Sequence, residues 1–205
     1  MSKQLVLAST SPRRKELLQQ IGIEFTQLAI NINEDVREGE PPADYVLRLA
    51  QEKSSAGFNL LSKRQQECSL VLAADTIVVC DEHILAKPES LVDCQKILGQ
   101  LSGRMHTVTT AIGLFGTDIS IQKMVTTEVK FRPLSETEIE NYWHTGEPQD
   151  KAGSYGIQGF AAVFVESIIG SYSNVVGLPL YETAELLNQF NIPLWQNSAS
   201  VEAIL

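Results

Sequence analysis

Hydroxyl groups and arginines are concentrated in one short stretch near the start of the chain, STSPRR at residues 9–14. The stretch follows a short apolar run, and Pro12 fits the first turn of a helix, where the missing N–H of proline breaks no hydrogen bond. The N–H groups of a helix N-terminus attract anions, and arginines add charge-assisted bonds to phosphate oxygens. The pattern therefore indicates an anion-binding turn; the alternative is a surface helix with solvated arginines.

A carboxylate interrupts a long apolar run, SLVLAADTIVVC at residues 69–80. Burying Asp75 is costly unless it is paired or binds a metal, which makes it a candidate metal ligand or general base at a strand end. The alternative is an aspartate that caps a turn or pairs with a core arginine. Lys87 lies on the return of a predicted hairpin over residues 81–88, so it is either close to Asp75 or an ordinary solvated lysine.

A polar loop rich in glycine, EPQDKAGSYGIQG, occupies residues 147–159. Such loops bring backbone close to a ligand, although plain turn formation is an equal alternative. The loop has neither the dinucleotide-binding G-x-G-x-x-G pattern nor the Lys-Ser/Thr pair of a P-loop. Glu34, in the acidic stretch NED at residues 33–35, is either solvated or a ligand for Mg²⁺ or Mn²⁺, which prefer oxygen ligands.

Histidines and cysteines form no recognisable site in the sequence. The three histidines are scattered without metal-ligand spacing, so structural roles are expected. The three cysteines include no C-x-x-C pair, which argues against zinc and disulfides and favours reduced thiols in the cytoplasm.

Strands and helices predicted from the hydrophobic pattern place these residues on turns and strand interiors. Mixed strands and helices leave α/β and α+β architectures open. The tail after about residue 191 shows no convincing pattern. The predicted strands are residues 4–9, 23–30, 69–80, 105–116 and 119–134, with a strand pair after the glycine-rich loop in 146–172, and the predicted helices are 12–22, 43–58, 90–103, 135–146 and 177–190.

Composition limits the classes of partner. A chain of 205 residues fits one domain over 1–205, with or without a sub-lobe. A net charge of −9 argues against general nucleic-acid binding, although local cations can still bind a small anion. No apolar run approaches the about 18 residues that span a membrane, and the first apolar run is too short for a signal peptide, so we expect a cytoplasmic protein.

The order of the motifs is more specific than any one of them. LASTSPRR, NED with RLAQEKS, AADTIV with AKP, LSGRMH, and EPQDKAGSYGIQG with GSYSNVVGLPL together resemble the Maf family of nucleotide pyrophosphatases, from about residue 4 to about residue 190. The resemblance implies an α/β fold with an elongated mixed sheet flanked by helices and a cleft between two lobes. It also implies cleavage of a nucleoside triphosphate to the monophosphate and pyrophosphate with Mg²⁺ or Mn²⁺, and a possible homodimer.

The resemblance assigns roles to individual positions. Asp75 matches the proton acceptor, and Glu34 with Asp75 matches the metal ligands. Lys53 and Lys87 match phosphate- and metal-handling positions, and we expect them to neutralise charge on the leaving pyrophosphate. The positions that match substrate-binding residues are Ser9, Ser11, Arg13, Arg14, Thr76, Asp150, Lys151 and Gln158.

Three of these positions distinguish branches of the family. Arg13, Thr76 and Gln158 agree with the branch acting on dTTP and UTP, whereas the branch acting on 7-methyl-GTP has Trp, Gln and Glu there. Asn33 departs from relatives that carry a second acidic residue beside Glu34, which leaves the metal shell open. The alternatives are a non-catalytic nucleotide-binding regulator of cell division or septum formation, and a pyrophosphatase directed to 7-methyl-GTP or ITP.

Overall fold

Strands and helices are interspersed along the chain in the computed structural model, which describes residues 3–196. The strands are β1 Gln4–Ala8, β2 Phe25–Leu28, β3 Ser69–Cys80, β4 His83–Leu85, β5 Met105–Gly116, β6 Ile119–Phe131 and β7 Val165–Ile169. The helices are α1 Pro12–Gln20, α2 Pro42–Asn59, α3 Lys63–Cys68, α4 Leu91–Leu101, α5 Glu136–His144, α6 Tyr172–Val176 and α7 Leu180–Asn188, with short 3-10 helices at Glu147–Asp150, Ala152–Ser154 and Phe160–Phe164.

The strands form one mixed seven-stranded sheet, which confirms the predicted α/β class. The order is β2-β1-β3-β5-β6-β7, with β4 on the same edge of β3 as β1. The β1 strand runs parallel to β2 and β3, and the remaining pairs are antiparallel. Helices connect the parallel strands, because a parallel crossover needs a long connection.

A gap in the sheet lies beside the middle of β3. The β1 strand pairs with residues 69–72 of β3, and β4 pairs with residues 78–80. Residues 73–77 therefore have no strand partner on this edge within the described chain, whereas β5 pairs continuously with the other edge from Val71 to Val79. Asp75 lies at the centre of the gap and not at a strand end, which corrects the prediction from the sequence.

Helix α2 covers the face of the sheet on which Asp75 lies. Val46 and Ala50 of this helix pack against Ile77 and Ala111. The approach is close at Gly113 of β5, where a Cβ atom would lie 2.5 Å from the carbonyl oxygen of Ala50. The opposite face carries the larger core, which includes buried leucines of α1, α4 and α7.

Three local predictions differ from the structure. The predicted strand pair in 146–172 is a single strand, β7, because left-handed backbone at Gly153 and Ser154 and a 3-10 helix over 160–164 interrupt extended chain. The last predicted helix, 177–190, is α7, which begins after Pro179, and the short helix α6 before it, which ends at Gly177 with a φ of 124°, was not predicted. Helix α3 was not predicted, although its capping box at Ser62 and Gln65 is visible in the sequence.

The chain after α7 returns to the turn that follows α1. Ile192 is buried, the N–H of Trp195 donates to the carbonyl oxygen of Ile21, and the N–H of Gln196 donates to that of Gly22. The rest of the tail, residues 197–205, lies outside the described residues. Between residues 3 and 196, none of the helices combines the length and apolarity needed to cross a membrane.

Candidate active site

A cavity of about 940 Å³ opens at the gap in the sheet. Its walls come from the β1–α1 turn, the acidic loop before α2, the middle of β3, the chain after β4 and the glycine-rich loop. Every predicted site residue lines it: Ser9, Ser11, Arg13, Arg14, Glu34, Lys53, Asp75, Thr76, Lys87, Asp150, Lys151 and Gln158. The structure thus brings these residues together, and their individual roles stay predictions.

Lys53 of α2 joins the two predicted metal ligands. Its Nζ atom lies 2.7 Å from Oδ1 of Asp75 and 2.8 Å from Oε1 of Glu34. Lys53 and Asp75 are both 7% exposed, so each buried charge is compensated by the other. The partner that offsets the burial of Asp75 is therefore a lysine and not the core arginine considered from the sequence.

Cations of the cavity also act on Glu34. Burial on its own would raise the pKa of Glu34, but the hydrogen bond from Lys53 and the charges of Lys53, Lys87 and Arg14 outweigh it. The pKa of Glu34 therefore lies below its usual value, and the carboxylate is ionised at neutral pH.

The loop that carries Glu34 is tied to α2. The hydroxyl of Tyr45 donates to the backbone oxygen of Glu34 at 2.8 Å, and Arg48 donates to that of Asp35 at 3.0 Å. Arg48 also forms two hydrogen bonds with the carboxylate of Glu40, which lower the pKa of Glu40 to about 2. The position of Glu34 is thus set by the same helix that carries Lys53.

Asn33 has a local role in this loop. Its Oδ1 atom accepts a hydrogen bond from the backbone N–H of Asp35 at 2.8 Å, an Asx turn around Glu34. An asparagine next to Glu34 is therefore consistent with turn formation, and nothing in this geometry requires a second acidic ligand.

Arg14 of α1 approaches the gap from the other face of the sheet. It donates to the carbonyl oxygen of Gly177 at 2.9 Å, to Oγ1 of Thr76 at 3.1 Å and to Oγ of Ser9 at 3.5 Å. Burial lowers the pKa of Arg14, while the nearby charge of Asp75 opposes this shift. Since all three acceptors are neutral, the guanidinium charge lacks an anionic hydrogen-bonding partner within residues 3–196, and phosphate oxygens would supply one.

Asp75 and Thr76 are neighbours on β3, so their side chains point to opposite faces. Asp75 contacts Lys53 on one face of the sheet, and Thr76 contacts Arg14 on the opposite face. The gap in the sheet lets both faces open into one cavity. The carboxylate and the arginines can therefore act on a single ligand.

A buried polar network that the sequence did not reveal supports Arg14. The hydroxyl of Thr76 lies 2.9 Å from that of Thr110, which donates to the backbone oxygen of Asn174 at 2.9 Å. The side chain of Asn174 bonds the backbone of β5 at Val108 and Thr110. This network fixes α6 and the carbonyl of Gly177 against the sheet; the only sequence signal was the motif GSYSNVVGLPL, which contains both Asn174 and Gly177.

The space beside the glycines of the 147–159 loop is filled by the protein itself. A Cβ atom would lie 2.8 Å from Val78 at Gly153, 2.8 Å from Lys151 at Gly156 and 2.0 Å from Glu147 at Gly159. These glycines therefore leave room for side chains of the protein itself, which agrees with the turn-forming alternative and not with the approach of a ligand to the backbone.

The charged residues of the same loop pair with each other. Lys151 donates to the carboxylate of Asp150 at 2.7 Å, and this bond lowers the pKa of Asp150. Lys151 also donates to the backbone oxygen of Glu147 at 2.6 Å. The loop therefore presents a largely neutralised pair to the cavity, and of its two exposed amide side chains Gln158 lines the cavity.

The donor set suits a divalent ion that arrives with phosphate groups. No cluster of three or more His, Cys, Asp or Glu side chains suited to a metal occurs among residues 3–196. Glu34 and Asp75, however, already converge on a cation, the ammonium of Lys53. Mg²⁺ is commonly held by one or two carboxylates together with substrate phosphates and water, so the residues present fit such an ion.

Comparison with known proteins gives one consistent result. A family model described as Maf-like protein matches residues 4–190. Relatives named dTTP/UTP pyrophosphatase include one from Vibrio vulnificus, 53% identical over 91% of this chain and 98% of its own length. Those from Colwellia psychrerythraea and Shewanella oneidensis are each 52% identical, over 91% and 92% of this chain and 88% and 98% of their own lengths.

Proposed function

The chain belongs to the Maf-like protein family, and we propose that it is a nucleoside triphosphate pyrophosphatase that hydrolyses dTTP and UTP to the monophosphate and pyrophosphate. Relatives with about half of their residues identical over nearly their full length carry that name. The observation that carries the proposal is a single cavity that holds both the Lys53–Asp75 pair and Arg14. Within residues 3–196 the guanidinium of Arg14 has only neutral hydrogen-bond acceptors. Modified pyrimidine nucleotides are further candidate substrates.

The β1–α1 turn and the first turn of α1, which carries Arg13 and Arg14, bind the triphosphate. Arg14 is held in place by Gly177 and Thr76, and Arg13 lines the same wall. Ser11 occupies the N-cap position of α1, but its hydroxyl does not cap the helix, which leaves the first N–H groups to bind phosphate oxygens. These groups explain how a chain with net charge −9 can bind a polyanion.

Asp75 accepts the proton of the attacking water. Among residues 3–196 its side chain accepts a hydrogen bond from Lys53 alone, at Oδ1, so Oδ2 is available to a water molecule. The water attacks the α-phosphorus, pyrophosphate leaves, and Lys53 and Lys87 neutralise the charge that grows on it. A divalent ion held by Glu34 and Asp75 would supply charge neutralisation and a lowered pKa of bound water.

Gln158 reads the pyrimidine base in this proposal. Its amide has one donor and one acceptor group, which match O4 and N3–H of uracil or thymine. A site built to hydrogen-bond one base edge rejects bases that leave its polar groups unpaired. A cytoplasmic location and a homodimer stay predictions.

Pyrophosphate release from a panel of nucleotides tests the proposal. With Mg²⁺ or Mn²⁺ we expect turnover of dTTP and UTP well above that of CTP, dATP, ITP and 7-methyl-GTP, and loss of turnover with a chelator. Asp75→Asn should bind nucleotide but lose several orders of magnitude in kcat, because the proton acceptor is absent.

Other outcomes would select the alternatives. Binding without any product would favour the nucleotide-binding regulator. Preferred turnover of ITP or 7-methyl-GTP would favour another branch, and near-normal turnover by Asp75→Asn would remove Asp75 from the reaction.

A further inference from the structure

Glu147 is held by several donors at the edge of the cavity, although it is not among the predicted site residues. Its Oε1 atom accepts hydrogen bonds from the hydroxyl of Tyr142 at 2.8 Å and from the N–H of Ala161 at 3.3 Å. Its Oε2 atom accepts one from the N–H of Phe160 at 2.8 Å. With both oxygens engaged by donors of the protein, this carboxylate is poorly placed to act as a base and well placed to hold backbone.

The backbone that Glu147 holds is the turn that carries Gln158. The turn is closed by a hydrogen bond from the N–H of Gly159 to the oxygen of Gly156 at 3.0 Å. On one side of it, the N–H of Gly156 donates to the hydroxyl of Tyr142 at 3.3 Å. On the other side, Phe160 and Ala161 donate to Glu147 itself. The Tyr142–Glu147 pair therefore anchors the turn at both ends.

Glu147 packs closely against the backbone that it holds. A Cβ atom at Gly159 would lie 2.0 Å from Oε2 of Glu147, so the carboxylate rests directly against the backbone next to Gln158. Tyr142 is buried against Phe164, and burial together with the hydrogen bond to Glu147 raises its pKa, so the hydroxyl stays protonated and donates. The Gln158 side chain, in contrast, is exposed to the cavity, and its direction is set by this backbone.

We propose that Glu147 is a positioning residue for substrate selection: with Tyr142, it fixes the turn from which Gln158 reads a pyrimidine base. The inference rests on the proposed function and deepens it. Bonds to a base edge are directional, so a displaced turn loses discrimination between bases. Triphosphate affinity comes from Arg14 of α1, which hydrogen-bonds Gly177, Thr76 and Ser9 and not the Tyr142–Glu147 pair.

Equilibrium binding of the non-hydrolysable analogues α,β-methylene-UTP and α,β-methylene-ATP tests the inference. Glu147→Gln keeps the length of the side chain but replaces one carboxylate oxygen with an NH₂ group. Because both oxygens of Glu147 accept hydrogen bonds, the NH₂ group cannot replace either of them. We expect the preference for the UTP analogue over the ATP analogue to fall by roughly tenfold, the scale of one lost hydrogen bond. Affinity for the ATP analogue should stay unchanged.

A matched control and a double variant separate positioning from general damage. Glu140→Gln, at an exposed glutamate of α5, should keep the preference. In a Gln158→Ala background, Glu147→Gln should cause no further loss of preference, because it acts through Gln158. If Glu147→Gln does not fold, Tyr142→Phe gives the same test with a milder loss of the anchor.

Two results would overturn the inference: an equal loss of affinity for both analogues, or a preference that Glu147→Gln leaves intact. Failure of the proposed function is distinguishable, because the unaltered protein would then show no preference for the UTP analogue or release no pyrophosphate from dTTP and UTP.

Discussion

The guanidinium of Arg14 connects three parts of the chain that are far apart in sequence. Its planar fork reaches Ser9 of the β1–α1 turn, Thr76 of β3 and the carbonyl of Gly177 after α6. A lysine at this position would carry the same charge but has a single nitrogen on a flexible stem. The site thus depends on the shape of the cation as well as on its charge.

Arg14→Lys should therefore weaken substrate binding although net charge is conserved. We expect kcat/KM for dTTP to fall by roughly 10- to 100-fold, because the loss of directed bonds to phosphate costs about 1.5–3 kcal/mol. Steady-state kinetics on the two proteins measure the effect. Arg64→Lys, at an exposed position of α3, is the matched control, and equal losses in both variants would contradict the argument.

At the scale of elements, the distance between α2 and the sheet sets the Lys53–Asp75 contact. Gly113 lets the backbone of α2 approach β5, since a Cβ atom there would lie 2.5 Å from the Ala50 oxygen and 2.9 Å from Oγ of Ser54. Lys53 follows Ala50 by one helical turn. The helix can therefore place a buried lysine against a carboxylate on a strand only because β5 carries no side chain at this point.

Gly113→Ala should push α2 away from the sheet. We expect the free energy of unfolding to fall by about 1–3 kcal/mol and kcat to fall with it, because overpacking strains the contact and displaces Lys53. Denaturant titration and pyrophosphate release measure the two effects.

The control for this variant is another glycine-to-alanine change. Gly99 lies on the exposed side of α4, and a Cβ atom there meets nothing within 4 Å. Gly99→Ala should raise stability by about 0.5–1 kcal/mol through helix propensity and leave kcat unchanged. A normal kcat in Gly113→Ala would show that the Lys53–Asp75 contact tolerates a shift of α2.

At the scale of the molecule, His106 links the sheet to the glycine-rich loop. It is 3% exposed, its ring is edge-on to Phe131 with centroids 4.9 Å apart, and its Nε2 atom lies 2.9 Å from the hydroxyl of Tyr155. Burial lowers the pKa of His106 from 6.5 to about 4. This placement fits the structural role expected for the histidines and makes folding sensitive to mild acid.

Stability should therefore decline as the pH falls from about 6.5 to about 4. Over this window the unfolded chain binds a proton at His106 that the folded chain does not, which costs at most roughly 3 kcal/mol. Denaturant titrations between pH 7.5 and 4.5 measure the slope. His106→Asn, which lacks the titrating ring, should flatten it, and an equally steep slope in the variant would exclude His106 as the cause.

The linear order of residues was sufficient to predict much of this protein. The apolar runs predicted β3 and β5 with their bounds, because long β-branched segments favour extended chain in most contexts. The helices predicted to start at residues 90 and 135 are α4 and α5, which Ser90 and Ser135 cap. The sequence motifs also indicated which residues could form the site and which family the chain resembles.

Only the tertiary structure decided how these residues meet. The gap beside residues 73–77 arises because β1 and β4 share one edge of β3 and both end there, a long-range pairing that no local pattern encodes. The pairing of Lys53 with Asp75 and the hydrogen bond from the N–H of Phe160 to Glu147 join residues that local propensity treats separately. Burial and contact depend on the whole folded chain, so the sequence named the chemical groups, and the packing of helices on the sheet set their distances.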